Sequence, residues 1–337
     1  MQTMATDRLP RRFIIPVLLI VLILVAASMF PDGFFTWFWD RLNVFATIFL
    51  GIFVEAIPYL LLGTFASGLV EEFVDRDQMS RWISRRPAAA AISGAFMGMI
   101  FPVCECGVVP LTRRLFHKGL PLSAGISFLL AAPVLNPIVI ISTAAAFGWD
   151  RMLLWRVGLS LLIAIITGMI FSVEPDAGKI LKPIISLPTE HDHSHGSIHK
   201  TFMEKVRGAL LVTVDEFFDM GRYLIMGSVL AAGLQTFVSQ SVLLTLGSGP
   251  VFSVLIMLLL AVLLSICSTV DAFVALGFVG TFSFGSVLSF LVFGPMVDIK
   301  SVLMYLQVFN KKSVFYIVTI PFMISLLSGL LLNYLLP

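Results

Sequence analysis

The sequence has few charged residues: Asp, Glu, Lys and Arg together make up 12% of its 337 residues. A soluble domain carries about 25% charged residues, so the composition excludes an ordinary soluble protein. Hydrophobic residues make up 58% of the chain, and the mean hydropathy is +0.99. The formal net charge of +2 gives no sign of a nucleic-acid partner.

Cysteines and catalytic motifs are also scarce. Three cysteines, two of them one residue apart, do not make a disulfide framework and are instead candidates for soft-ligand or redox chemistry. The sequence contains no phosphate-binding loop, which argues against ATP hydrolysis by this chain. It also lacks the His-Glu-x-x-His and paired-aspartate motifs of an intramembrane protease. We therefore predict neither enzymatic activity nor a cofactor.

Long apolar segments fill most of the chain. The first, 13–30, follows a group of arginines; we interpret it as an uncleaved start helix, with a cleaved signal peptide as the alternative. The others cover approximately 42–70, 88–110, 120–148, 152–173, 207–238, 250–283, 284–309 and 313–336. Since about 20 apolar residues cross the hydrocarbon core, the chain has material for about eight or nine crossings.

A polar stretch divides these segments into two groups. The predicted organisation is a cytoplasmic N terminus and first transmembrane helix at 1–39, a membrane repeat at 40–173, a cytoplasmic linker at 174–203 and a second repeat at 204–337. The linker contains His191, His193 and His195, a pattern that resembles a metal-scavenging tract. The alternative is that these histidines are simply solvated.

The two membrane segments resemble each other. A shift of 164 residues aligns EAIPYLLLG with DMGRYLIMG, which places Glu55 on Asp219. With small gaps the alignment also pairs Cys104 with Cys267, Pro133 with Pro295 and Asn136 with Asp298. An acid, a tyrosine, a glycine, a cysteine and a proline in the same order are informative, whereas matched apolar residues are not. We therefore predict an internal repeat.

The distribution of basic loops predicts how the two repeats are related. Lys and Arg concentrate in cytoplasmic loops, and the basic loops of this chain share one side only if each half contains a segment that enters and leaves by the same face. The best candidates are 88–110 and 250–283. The predicted fold is therefore an all-α integral membrane protein with two inverted repeats, broken or re-entrant helices, and an N-terminal transmembrane helix.

The strongest local motif is FPVCECGVVP. Pro102 and Gly107 predict a helix break there. Cys104, Glu105 and Cys106 at such a break would form a soft ligand set for a thiophilic cation or metalloid, joined by the repeat mate Cys267. The alternative is that these cysteines are small buried hydrophobic residues.

Two acids lie within apolar segments. Glu55 lies in the middle of its segment, and Asp219 is its repeat mate. Acids inside a membrane are expensive and mark ion or substrate pathways, so both are candidates for proton or ion coupling. The alternative is that they lie near the membrane interface and are solvated.

A second pair of helix breaks occurs at matched positions. The breaks are marked by Pro133, Pro137 and Pro295. Interrupted helices at corresponding positions indicate a transporter binding site, to which Asn136 would offer an amide and Asp298 a carboxylate. Asp271 is a further inward candidate. The alternatives are a kinked packing helix and a structural Asp298–Lys300 pair.

The segment FPVCECGVVPLTRRLFHKGLP, followed by AAPVLNPIVIISTAAAFG, resembles the bacterial predicted permease family that includes the trivalent-organoarsenical efflux permeases. The resemblance spans roughly residues 40–335. It implies a permease and gives as matching positions Pro102, Cys104, Cys106, Gly107, Pro133, Asn136 and Pro137. This chain has Glu105 where members often have a small residue, so the resemblance supplies a class of protein and not a solute.

The leading hypothesis is a multi-pass permease of the bacterial inner membrane that exports a thiophilic metal, a metalloid or a small organic solute. A first alternative is a transmembrane thiol–disulfide electron carrier, which predicts a reversible Cys104–Cys267 disulfide. A second is an accessory membrane subunit whose polar groups only pack. The expected partners are a small solute and the lipid bilayer, without nucleic acid.

Overall fold

A computed structural model describes residues 34–75, 86–101, 103–173, 180–182, 201–237 and 249–335. Several predictions lie outside these residues: the first transmembrane helix at 13–30, the helix break at Pro102, and the histidines His191, His193 and His195. Residues 34–47 belong to a compact unit separate from 48–337. The packing described below concerns the larger unit.

The described residues form twelve helices. They are α1 (Phe34–Phe73), α2 (Pro87–Ile100), α3 (Glu105–His117), α4 (Leu122–Leu135), α5 (Pro137–Phe147), α6 (Arg151–Phe171), α7 (Phe202–Phe237), α8 (Pro250–Leu264), α9 (Asp271–Leu276), α10 (Phe284–Phe293), α11 (Ile299–Val308) and α12 (Lys311–Leu335). Proline is the first residue of α2, α5 and α8, where its fixed φ suits a helix start and its missing N–H costs nothing.

Five helical segments in the described part of the chain are long and apolar enough to cross a membrane: Phe35–Phe73, Leu122–Phe147, Arg151–Phe171, Phe202–Phe237 and Lys311–Leu335. This confirms the predicted all-α integral membrane class. The number is below the about eight or nine crossings expected from apolar length. Breaks divide the remaining apolar segments into shorter helices, among them α2, α8, α10 and α11.

The order of helices in 34–171 recurs in 202–335. A long helix (α1, α7) precedes a shorter one that ends at a break (α2, α8), and four further helices follow in each half. Across the halves, α3 packs on α11 and α5 packs on α9. The internal repeat, its inverted orientation and the domain boundaries remain predictions.

The first break in each half interrupts an apolar segment. Helix α2 ends at Ile100, and Phe101 adopts the extended backbone favoured by a residue that precedes proline. Helix α3 then begins at Glu105, so Gly107 lies inside α3 and does not mark the interruption as predicted. In the second half, α8 ends at Leu264, and the next residue, Ser265, has a left-handed φ of 45°.

The second break in each half is closed by a polar cap. The Asn136 side chain accepts a hydrogen bond from the Ile138 N–H at 3.0 Å and caps α5. The Asp298 Oδ1 atom accepts one from the Ser301 N–H at 2.7 Å and caps α11. Of the predicted breakers, Pro133 lies within the end of α4, Pro137 begins α5, and Pro295 lies between α10 and α11.

Helix α4 lies in the centre of the first half. Every residue from Ser123 to Leu135 is buried, and α4 packs against α2, α3 and α6. A Cβ atom on Gly94 of α2 would lie 2.1 Å from the Ala124 carbonyl oxygen. The backbones of α2 and α4 are therefore in direct contact, which is the way that small residues bring membrane helices together.

A short part of the predicted linker is packed. The Lys182 N–H donates to the Val308 carbonyl at 2.9 Å, and the Asn310 N–H donates to the Ile180 carbonyl at 2.9 Å. Ile180 is also buried. Linker residues 180–182 are therefore paired with the connection between α11 and α12, although the sequence predicts only a flexible linker here.

Candidate functional site

A cavity lies where both halves of the chain meet. The space between its lining atoms is about 200 Å³ with open solvent included, but the centre of a water-sized sphere can occupy only about 10 Å³ of it, so the cavity is narrow. The lining residues are Ile52, Glu55, Ala56 and Tyr59 of α1, Cys104, Glu105 and Cys106 at the start of α3, Cys267 before α9, and Lys300 of α11. The site is therefore built at a helix break, as expected for a transporter binding site.

All three cysteines of the chain line this cavity. Each thiol is free and buried, and Cys104 and Cys106 lie two residues apart at the start of α3. Cys267 reaches the cavity from the break between α8 and α9, where its Sγ atom accepts a hydrogen bond from the Thr269 hydroxyl at 3.4 Å. Soft sulfur donors from both halves thus face one space.

Two glycines hold α1, which forms one wall of the cavity, against α3, which carries two of the cysteines. A Cβ atom on Gly63 of α1 would lie 2.2 Å from the Cα of Gly107 in α3. This close contact of two backbones fixes the distance between Glu55 and Tyr59 on α1 and the first turn of α3. Gly107, predicted as a breaker, therefore acts as a packing residue.

Three charged side chains form a buried triad beside the cysteines. The Lys300 Nζ atom lies 3.8 Å from Glu105 Oε1 and 3.4 Å from Asp298 Oδ2, and each side chain is at most 3% exposed. The Ser268 hydroxyl donates to Glu105 Oε2 at 3.5 Å. Asp298 Oδ2 has an ion partner but no hydrogen bond among the described residues.

Glu55 and Tyr59 bring polar groups from α1. Both side chains are half-buried and line the cavity. The Tyr59 side chain lines the cavity together with Cys267, so α1 and the second half border the same space. Within the described ranges, no ion pair or hydrogen bond engages the Glu55 carboxylate, which borders the cavity.

Three predicted site residues do not line the cavity, and one of them, Asp298, reaches it only through its contact with Lys300. Asn136 is buried at the cap of α5 and does not line the cavity. Asp219 lies in a charged network in which it contacts Arg222, Arg113 at 3.1 Å and the Gln307 amide at 3.1 Å. Its setting therefore differs from that of its repeat mate Glu55.

A second buried ion pair joins the halves away from the cavity. The Arg156 guanidinium of α6 lies 2.5 Å from Asp271 at the start of α9, and it donates to the Thr143 hydroxyl of α5 at 2.8 Å. Arg156 is 1% exposed and Asp271 4%. Both charges are therefore removed from solvent and compensate each other.

Sequence reasoning missed Arg156 and assigned Lys300 only a structural pairing with Asp298. The signal was present, because a basic residue within an apolar segment is expensive and has a partner. The sequence does not identify these partners, because Glu105 lies far from Lys300 along the chain and Asp271 lies far from Arg156.

A preformed metal chelate is absent from the part of the chain that the structure describes: no group of three or more His, Cys, Asp or Glu side chains is placed to hold an ion. The cavity therefore offers separate soft and charged contacts.

Comparison with known proteins agrees with this architecture. The model of a predicted permease family, ArsP_1, matches residues 41–334. UPF0718 protein YcgR of Bacillus subtilis (strain 168) is 45% identical over 289 residues, which cover 85% of this chain and 96% of that protein. A putative two-component membrane permease complex subunit of Streptococcus mutans is 39% identical over 267 residues, covering 79% and 87% respectively.

A more distant relative is UPF0718 protein MJ0584 of Methanocaldococcus jannaschii, 27% identical over 133 residues, which cover 39% of this chain and 33% of that protein. No solved structure matches the chain. The family resemblance inferred from the sequence is confirmed, and it favours a transporter over an enzyme. With its apolar spans, the protein is a multi-pass membrane permease, and the chain belongs to the predicted permease family.

Proposed function

We propose that this permease exports a thiol-reactive solute from the bacterial cell, across the inner membrane, through the cavity described above. The class covers soft metal ions, metalloids and small organic electrophiles. The observation that supports the proposal best is that all three cysteines, drawn from both halves, line one cavity.

The chemistry of the lining explains the choice of solute. Thiols are soft ligands that prefer soft metal ions to magnesium or calcium. Glu55 adds a carboxylate that attracts a cation, whereas Glu105 faces Lys300. Export is the direction that protects a cell from species that attack its own thiols.

The cysteines differ in the setting that the fold gives them. Cys104 is the N-cap of α3 and Cys106 lies in its first turn, whereas Cys267 belongs to the second half. A solute held by thiols from both sides would link the halves when bound and separate from one of them when released. Discontinuous helix ends at a central site are typical of secondary transporters.

Replacing Cys267 by alanine is expected to lower solute efflux about tenfold, because the second half then offers no thiol. A loss of this size corresponds to about 1.4 kcal/mol of binding or barrier free energy. Efflux would be measured in a sensitised host challenged separately with arsenicals, cadmium, silver, copper, zinc and organic thiol reagents. Cys104→Ala should give a similar loss.

Ser160→Ala is the matched control for the cysteine variants. Ser160 is buried on α6, outside the cavity lining, and its hydroxyl has no hydrogen bond in the described structure, so loss of one buried atom there should leave efflux unchanged. Membrane abundance of every variant would be compared by immunoblot. The proposal fails if wild-type chain gives resistance to none of these agents and changes the cellular content of none.

A thiol–disulfide electron carrier remains an alternative, because Cys104 and Cys267 line the same cavity. It predicts that these two thiols form a disulfide as the redox poise is made more oxidising. Differential alkylation followed by mass spectrometry would detect the bond. Thiols that stay free under oxidation while solute efflux continues would exclude the carrier.

The Streptococcus mutans relative is described as a putative subunit of a two-component membrane permease complex, which suggests a partner chain as a further alternative. In that case the present chain would be an accessory or incomplete unit. Purified chain reconstituted alone into liposomes separates the two cases. Flux by the single chain supports an independent permease, and flux only in whole cells supports a required partner.

A further inference from the structure

A network of charged side chains joins the two halves of the chain at one end of the helices that line the cavity. Arg113 of α3 lies 3.1 Å from Asp219 of α7, and Arg114 of α3 pairs with Glu216 of α7. The Gln307 amide of α11 also donates to Asp219, at 3.1 Å. The first two contacts therefore cross from the first half to the second, and the third ties α11 to α7.

Helix α1 is tied to the same network through Glu71. The Glu71 carboxylate lies 3.5 Å from Arg114 and 3.5 Å from Lys118, and the Lys118 ammonium group also donates to the Glu71 carbonyl. Arg114 therefore contacts acids of both α1 and α7. The network links four helices, and three of them, α1, α3 and α11, also line the cavity.

The network lies beyond one end of the cavity. In each cavity-lining helix the chain runs from the cavity to the network: from Tyr59 to Glu71 in α1, from Cys106 to Arg113 in α3 and from Lys300 to Gln307 in α11. At a rise of about 1.5 Å per residue, these separations are about 10–18 Å. Helix α7 runs the other way beside α11, because a Cβ atom on Gly227 would lie 2.8 Å from the Lys300 Cα while Asp219 contacts Gln307. All four helices thus extend from the level of the cavity to the network.

The network differs from the other ion pair that joins the halves. Arg113 and Asp219 keep 13% and 27% of their side-chain surface exposed, whereas Arg156 and Asp271 keep 1% and 4%. Partly exposed pairs separate at small cost, because water solvates the charges as they part. A buried pair is costly to break. The halves can therefore separate at the network while Arg156 and Asp271 stay in contact.

We propose that this network is a gate that closes the cavity on the cytoplasmic side and opens when α3 separates from α7. The loop after α3 is one of the basic loops that the sequence predicts to be cytoplasmic. An exporter loads its solute from that side, so the contacts described above correspond to the closed gate. The inference rests on the proposed function, which gives the cavity its use. It assigns Asp219 to the entrance of the cavity, where the sequence suggested proton or ion coupling.

The native cysteines report the opening of the gate. All three line the cavity, so a membrane-impermeant maleimide modifies the chain only when the cavity is accessible. Labelling would be followed by mass spectrometry in inside-out vesicles, which expose the cytoplasmic face, and in right-side-out vesicles. Asp219→Asn removes the charge that Arg113 faces. It should raise the labelling rate from the cytoplasmic face about tenfold and leave the rate from the outer face unchanged.

Arg113→Gln removes the same contact from the other helix and should raise the rate by a similar factor. The double variant Arg113→Gln with Asp219→Asn should raise it no further, because one contact is lost in all three variants. Asp215→Asn is the matched control. Asp215 is exposed and lies one turn before Asp219 on α7, so this variant should be labelled at the wild-type rate.

Equal labelling rates for Asp219→Asn and Asp215→Asn overturn the inference. So does faster labelling from the outer face alone, which would place the network at that face, or from both faces together, which indicates a general loss of packing. Additive effects of the two single variants mean that they act separately, and they overturn it as well. Labelling requires no transported solute. A chain that exports no thiol-reactive solute therefore rejects the proposed function, while sided labelling still decides whether the network closes the cavity.

Discussion

Replacing Asp271 by asparagine is expected to destabilise the protein by about 3–5 kcal/mol, the usual cost of removing one partner from a buried ion pair. The change leaves the Arg156 guanidinium without its carboxylate at a position that is 1% exposed. Thr143 is its only other hydrogen-bond partner in the described structure, and a hydroxyl does not compensate a charge. The loss would appear as a lower melting temperature in detergent and lower membrane abundance.

The double variant Arg156→Met with Asp271→Asn tests the cause. It removes both charges, so we expect it to recover most of the lost stability, as replacement of buried ion pairs by neutral groups often does. Asp215→Asn is the matched control: the same aspartate-to-asparagine change on an exposed residue of α7 should cost less than about 0.5 kcal/mol. If Asp271→Asn melts like this control, the pair contributes no stability.

Replacing Gly63 by alanine is expected to destabilise the protein by about 3 kcal/mol and to reduce solute flux. The added Cβ atom would meet the Gly107 backbone at 2.2 Å, and neither backbone has a flexible side chain that can move away. Overpacking of this kind costs about 1–3 kcal/mol, sometimes more. Because this contact holds α1 against α3, a larger distance between the two helices would also move Glu55 and Tyr59 away from the cysteines.

Gly51→Ala on the same helix is the matched control. A Cβ atom there would meet nothing within 4 Å, and alanine favours a helix over glycine by about 1 kcal/mol. We expect unchanged or slightly raised stability and normal flux. Melting in detergent and flux in liposomes would be measured for both variants. Similar behaviour of the two would show that the contact between α1 and α3 is not tight.

The sequence alone supported the membrane class, because the low charge and the apolar segments are properties of composition. It also located the helix breaks to within a few residues, since proline and glycine act on the backbone of their own chain. The prediction that Gly107 marks a break was wrong, because Gly107 lies inside α3. Glycine both breaks helices and allows two helices to touch, and only the neighbour Gly63 distinguishes these roles.

The sequence identified the cysteines as a group worth testing, but it could not tell which acids accompany them. Glu55 and Asp219 match in the proposed repeat, yet Glu55 lines the cavity while Asp219 contacts Arg113 and Arg222. Local patterns do not encode such partners. They depend on which helices pack together, and α7 brings Asp219 to Gln307 of α11.

Composition, apolar length and residue order thus determined the class of protein, the helix breaks and the family resemblance, because each is a property of neighbouring residues. Only the tertiary structure decided that Cys267 joins Cys104 and Cys106, that Lys300 lies between Glu105 and Asp298, and that Arg156 pairs with Asp271. The physical reason is that charges and thiols act over a few ångströms, and packing of distant helices sets those distances.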